Sequence, residues 1–141
     1  MKKIFNGKIK ILSLKKIKNK RGEILKAFDK GNLNFSGIKE AYFSWVKNKN
    51  IKAWKFHKKM TLNIVVPYGK VKFVFYDKNK KNFFSVIIGE NNYRRLIVTP
   101  KVWFGFKGLH HPKSLILNCA NQMHKKNEIM RKKINQIKFN W

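Results

Sequence analysis

The chain has 141 residues, 43% of them hydrophobic and 14% aromatic, enough apolar material for one packed core and too much for a disordered polymer. Thirty-four Lys and Arg stand against six Asp and Glu, a formal charge of +28, so the field favours anionic ligands over cationic ones. No apolar run approaches the roughly 20 residues of a bilayer-spanning helix, and the single Cys119 excludes an intrachain disulfide.

The opening Met1–Gly7 is positive but has no continuous apolar stretch, which is not the pattern of a signal peptide, so a cytoplasmic protein is expected. The cations are nearly all Lys; the arginines are Arg21, Arg94, Arg95 and Arg131. Arg supplies the commonest bidentate base contacts. A lysine excess beside abundant Asn and Ile therefore reads first as an A/T-rich genome. Nucleic acid is expected to bind only non-specifically.

Taken in order, Gly7–Leu14 alternates Lys with apolar residues and predicts a strand. A charged break over Lys15–Lys20 precedes Arg21-Gly22 and a second strand, Glu23–Phe28. Asp29–Ser36, rich in Gly and Asn, predicts a loop. Ile38–Val46 predicts a third strand with Tyr42 and Ser44 on one face. The central stretch Ile51–Tyr76 reads as strand, polar break, strand, tight turn at Pro67-Tyr68-Gly69, strand. Period-two alternation puts Ala53, Lys55 and His57 on one face of the first of these, and Leu62, Ile64 and Val66 on one face of the second.

Further strands follow over Asn82–Ile88, Arg94–Val98, Pro100–Phe106 and Ser114–Ala120. Met123–Ile137 has Met130, Ile134 and Ile137 at helical spacing and predicts a short helix or an irregular arm, ending at Trp141. About ten short strands with frequent turns predict one all-β domain over residues 1–141, a sandwich, jelly roll or barrel, with 123–141 as a C-terminal arm. An open sheet edge predicts a homodimer.

Several motifs then fall into one order and spacing: Arg21-Gly22, I-K-A-W-K-F-H-K-K-M-T-L-N from Ile51, V-P-Y-G-K-V-K-F-V-F-Y-D ending at Asp77, and G-E-N-N-Y from Gly89. P-K-V-W-F-G-F from Pro100, L-N-C-A from Leu117 and I-K-F-N-W at the end continue it. Together they resemble the dTDP-4-dehydrorhamnose 3,5-epimerase family, in its shorter branch with a W-H-x-H-K-K core. The resemblance implies a cupin-type jelly roll (double-stranded β-helix), a dimer, and a nucleotide-activated 4-keto-6-deoxy sugar of surface-polysaccharide biosynthesis as substrate. It implies proton removal beside the C4 ketone and proton return on the other face, which needs a base, a donor for the enolate oxygen and an acid.

The chain departs from that pattern. Lys55 stands where the family has its catalytic His, Phe104 where it has a second His, Leu117 near its Tyr, and Thr61 or Leu62 at its enolate-binding Lys. The family's acidic residue that orients the His falls past Trp141. The expected catalytic residues are Lys55 and His57. Lys55 is a base only if its amine is neutral; otherwise it is a phosphate-binding cation. His57 reads as a stand-in base or as a satisfied barrel histidine.

The expected substrate-binding residues are Arg21, Tyr42, Ser44, Lys52, Asn63, Trp103 and Asn118. Lys52, at the family's phosphate-facing Arg, reaches the same pocket as Lys55 only if the strand carries a bulge. No cofactor and no metal site is expected, because His110, His111 and His124 read as solvated loop residues and the H-x-H motif is incomplete. A non-catalytic nucleotide-sugar or carbohydrate-binding cupin and a basic RNA-associated protein are the alternatives.

Overall fold

The alternation of Lys with Ile and Leu after Gly7 does form a strand, and the same rule builds most of the chain. The computed structural model describes residues 1–28 and 37–141; the loop expected over Asp29–Ser36 lies outside the described residues. The strands are β1 (Lys2–Ile4), β2 (Ile9–Ser13), β3 (Lys16–Ile17), β4 (Ile24–Leu25), β5 (Glu40–Lys47), β6 (Ile51–His57) and β7 (Leu62–Tyr68). They continue as β8 (Lys70–Asp77), β9 (Asn82–Gly89), β10 (Arg94–Val98), β11 (Trp103–Gly108), β12 (Lys113–Ala120) and β13 (Ile129–Arg131). One six-stranded sheet has the order β1-β2-β10-β7-β12-β5, and a five-stranded sheet the order β13-β6-β11-β8-β9. The pairings between strands within each sheet are antiparallel. The short β3–β4 hairpin stands apart.

The two sheets face each other across an apolar layer. Leu62, Ile64 and Val66 from β7 and Leu96 and Val98 from β10 meet Val71, Phe73 and Phe75 from β8 and Phe104 and Phe106 from β11. Each such fully buried side chain contributes about 1.5–3 kcal/mol by leaving water. The chain crosses from one sheet to the other at Gly69, whose φ of +80° suits glycine and whose added Cβ would lie 2.6 Å from Ser114 Oγ. Just before it, three steps of β7 (Val65 to Tyr68) oppose two steps of β12 (Leu117 to Leu115). Pro67 sits in that bulge, where a missing N–H is tolerated.

The outer face of the five-stranded sheet has its own small core. Trp54, Val74, Trp103 and Ile137 pack there with Phe139 and Trp141 against it. The C-terminal strap is fastened to β6. Trp54 N donates to Lys132 O at 3.0 Å, Lys132 N returns the bond to Trp54 O at 3.1 Å, and the Trp54 indole donates to Ile137 O at 3.1 Å. The short helix allowed for Met123–Ile137 does not form. The segment holds two single 3₁₀ turns, Lys126–Glu128 and Ile134–Gln136, on either side of β13. Pairing of β13 with β6 keeps it extended, and only Ile137 of the three spaced apolar residues is buried.

Gly105 lies where strap and sheet meet. An added Cβ would fall 2.6 Å from Ala53 Cβ and 2.9 Å from Trp141 Cη2. Gly105→Ala is therefore expected to cost about 1–3 kcal/mol through overpacking. Urea unfolding monitored by tryptophan fluorescence checks this, and an unchanged midpoint would show that the strap is not packed against β11.

Candidate active site

β6 places the central residues. Phe104 of β11 opposes Lys55 while Phe106 opposes Lys52, so two steps on β11 match three on β6. The extra residue is a bulge, and it returns Lys52 to the face that carries Lys55 and His57. Ala53 does not share that face, as plain alternation would have it. It turns outward with Trp54 into the strap-covered core.

Lys52, Lys55 and His57 line one side of a cavity of about 130 Å³ between the two sheets, joined by Ile129 and Arg131 of β13. The facing wall is Tyr42 and Ser44 of β5 with Ile116 and Asn118 of β12. Met60, Leu62, Ile64 and Phe73 form an apolar floor. Polarity is graded: Lys52 and Arg131 are exposed at the mouth, Lys55 is half-buried, and His57 is buried. Lys52 Nζ donates to Trp45 O at 2.9 Å, tying the β6 edge to the β5 edge across the mouth.

The deepest polar group is a histidine hydrogen-bonded to a carboxylate. His57 Nδ1 lies 2.6 Å from Glu128 Oε2, and both side chains are buried. Glu128 Oε1 accepts from the backbone N–H of Lys59 and Met60, both at 2.8 Å. A carboxylate held by three donors is ionised and only accepts, so His57 donates from Nδ1 and keeps the Nε2 lone pair. The imidazole is stacked on Phe104, with ring centroids 5.9 Å apart. Burial lowers the His57 pKa below its ordinary value, and Lys55 and His124 add to this, outweighing the upward pull of Glu128. Burial pulls Glu128 upward, but its backbone and His57 hydrogen bonds hold it below the usual carboxylate value. Burial lowers the Lys55 pKa as well, helped by the charges of Arg131 and Lys52.

Opposite, Asn118 Nδ2 donates to the Tyr42 hydroxyl at 2.8 Å. Asn118 Oδ1 is buried with no partner among the described residues, an acceptor available to a ligand hydroxyl. Glu40 also lines the wall, and its carboxylate accepts from His124 N at 2.7 Å.

The structure thus brings together Lys52, Lys55, His57, Tyr42, Ser44 and Asn118, and leaves three expected site residues elsewhere. Arg21 is in the exposed turn between β3 and β4. Asn63 lies on the outer face of β7, where its amide donates to Cys119 O at 3.5 Å, because alternation sends it opposite Leu62 and Ile64. Trp103 points outward from β11, against Phe56 and beneath Lys132. Glu128 and Arg131 went unassigned in the sequence. His57 has an acidic partner within the chain, Glu128. No group of three His, Cys, Asp or Glu suited to a metal ion occurs among the described residues.

The shifts fix a pH dependence. Folded His57 binds its proton more weakly than its ordinary 6.5, so protons favour the unfolded chain. Its contribution is complete above 6.5 and is lost as pH falls through the folded value. Glu128, lowered from 4.5, contributes above 4.5 and loses that contribution further down. The urea midpoint is expected to fall as pH drops below about 6.5, and His57→Gln to flatten that limb while sparing the one in the carboxylate range. Equal slopes in both proteins would contradict a buried neutral His57.

No curated protein matches the chain. A dTDP sugar isomerase from Desulfovibrio desulfuricans G20 is similar in structure, with a TM-score of 0.88 and 31% identity over 94% of this chain and 90% of that one. QdtA, a sugar 3,4-ketoisomerase from Thermoanaerobacterium thermosaccharolyticum in complex with TDP, gives 0.76 at 18% identity, covering 92% of each chain. A dTDP-4-dehydrorhamnose 3,5-epimerase from Bacillus anthracis with TDP and PPi bound gives 0.76 at 19% identity over 89% of this chain and 78% of that one. At those two lower identities the likeness shows the shared cupin-type fold. The family model FdtA, described as WxcM-like, C-terminal, matches residues 7–140, and the chain belongs to that family.

Proposed function

We propose that the protein is a nucleotide-sugar isomerase of the 3,5-epimerase type, acting on a diphosphonucleoside-linked 4-keto-6-deoxy sugar. One observation supports this above the others: a buried neutral imidazole, backed by a carboxylate, opens onto a cavity whose mouth is cationic. A carbon acid beside a ketone needs such a base, and the enolate oxygen needs positive charge close by. His57 Nε2 takes the proton, while Glu128 fixes the tautomer and stabilises the imidazolium. Lys52 and Arg131, exposed at the mouth, suit the diphosphate. The Tyr42 hydroxyl, on the facing sheet, suits proton return to the other face of the sugar.

The neighbours support the substrate class. One is a dTDP sugar isomerase at 31% identity, and others were solved with TDP or a TDP-linked keto sugar. On this reading the protein works in the cytoplasm, in surface-polysaccharide biosynthesis. Among the described residues no helix is long and apolar enough to cross a membrane. The reading includes a homodimer. Its suited surface is the eight-residue edge strand β5, which exposes Phe43 and Trp45 beside the cavity mouth.

Two measurements test the reading. In D₂O, proton NMR of a dTDP-linked 4-keto-6-deoxyhexose is expected to lose the signal at C3 or C5 in the presence of the protein, and His57→Asn to slow this about 10²–10⁴-fold. Binding of TDP without any exchange would instead make the protein a non-catalytic nucleotide-sugar-binding cupin. By calorimetry, Lys52→Gln with Arg131→Gln is expected to weaken TDP binding about 10–100-fold, the worth of one charged hydrogen bond. Undiminished affinity would place the diphosphate elsewhere.

A further inference from the structure

The mechanism above gives no task to the half-buried amine in the middle of the cavity. Lys55 precedes His57 by two residues on β6, so both side chains enter the same space. Arg131 pairs with it across the β13–β6 ladder, and Lys52 reaches the same wall through the bulge. Nothing acidic answers it: among the described residues no carboxylate lies within ion-pair distance of Lys55. The two acids that line or abut the cavity are committed, Glu128 to His57 and two backbone N–H groups, Glu40 to His124 N. A third basic side chain here has no carboxylate partner, while the base position is already held by an imidazole hydrogen-bonded to its own carboxylate.

From this placement, and resting on the substrate class proposed above, we infer that Lys55 is a nucleophile that forms a Schiff base with the C4 ketone, and that the reaction is therefore epimerisation beside C4. The lowered pKa of Lys55, from burial first and then Arg131 and Lys52, keeps a larger share of the amine neutral. The Nζ lone pair forms a bond to C4 as the carbonyl π pair moves to oxygen, and a proton passes from nitrogen to that oxygen. A further proton from solvent lets the hydroxyl leave as water, giving the iminium. His57 then removes the proton at C3 or C5. The C–H pair becomes a carbon–carbon double bond, and the C=N π pair returns to nitrogen as an enamine. Reprotonation of that carbon on the opposite face inverts it, and water hydrolyses the iminium to restore ketone and amine.

The same intermediate disfavours moving the carbonyl from C4 to C3. Protonating C4 of the enamine would leave C4 joined to Nζ as a secondary amine, with no C=N bond for water to cleave. The chain would alkylate itself. Schiff-base chemistry at Lys55 thus separates a 3,5-epimerase from a 3,4-ketoisomerase, although both begin by removing a proton beside C4.

Trapping tests this directly. The full-length protein is incubated with a dTDP-linked 4-keto-6-deoxyhexose and sodium cyanoborohydride, then mapped by peptide mass spectrometry, with deuterium exchange followed in parallel. The expected result is a reduced sugar adduct on Lys55, suppressed by excess TDP, absent in Lys55→Arg and retained in His57→Asn. Exchange that proceeds with no adduct at Lys55, or that survives in Lys55→Arg, overturns the nucleophile and leaves the isomerase reading intact. Adducts scattered over surface lysines and insensitive to TDP also overturn it. Absence of both adduct and exchange overturns the two together.

Discussion

The site depends on one buried contact, His57 with Glu128. Removing one partner of such a pair typically costs about 3–5 kcal/mol, because the other is left charged or unsatisfied. Here the carboxylate has a second duty. By accepting from Lys59 N and Met60 N it also closes the turn between β6 and β7. The strand that carries the cavity's cations and the strand that forms its floor, which lie in different sheets, are therefore tied at this turn by the carboxylate that orients His57. In a chain with six acids against thirty-four cations, Glu128 is one of two acids, with Asp77, that are buried among the described residues.

The second constraint is the β6 bulge. Without it, alternation would send Lys52 to the outer face and Lys55 to the inner one. With it, Ala53 and Trp54 both turn outward, where Trp54 receives the C-terminal strap, and Lys52 turns in. Strap and site are thus two faces of one irregularity. β13 joins them: its backbone pairs with β6, its Arg131 enters the cavity, and the residues after it cover Trp54. This explains why the last nineteen residues do not form a helix despite suitable spacing. Their apolar side chains are used one by one against a sheet, and a helix would take β13 off the cavity edge.

Much of the sheet framework was legible because a strand buried on one face shows it by alternation. Leu62, Ile64 and Val66, or Val71, Phe73 and Phe75, leave little choice of face. Alternation alone does not tell which face is the cavity where a strand is covered on both. Asn63 and Trp103 were expected to bind substrate, yet both lie on outer surfaces that other parts of the chain bury. Glu128 was invisible for another reason. In K-K-N-E-I-M it looks like one more surface charge, and the turn that carries it inward has no sequence mark. The available signal was scarcity: it is the one acidic residue after Glu90, and it stands next to an apolar Ile. Arg131 was hidden by the same charged surroundings, since its inward direction follows only from the pairing of β13.

The charge balance of the cavity also decides what chemistry fits. Lys52, Lys55 and Arg131 together would make a fully protonated wall, good at holding anions and poor at accepting protons. The base chemistry proposed for His57 fits there because the imidazole is hydrogen-bonded to Glu128 and buried on apolar residues, whereas Lys52 and Arg131 stand exposed further out. A diphosphate at the mouth would neutralise part of that outer charge and leave the inner groups facing the sugar. The gradient from exposed cation to buried neutral base is what a substrate with a doubly charged tail and an uncharged reacting head requires. A nucleic acid, charged along its whole length, would meet the same gradient with its bases against the lysines and nothing for the histidine to do.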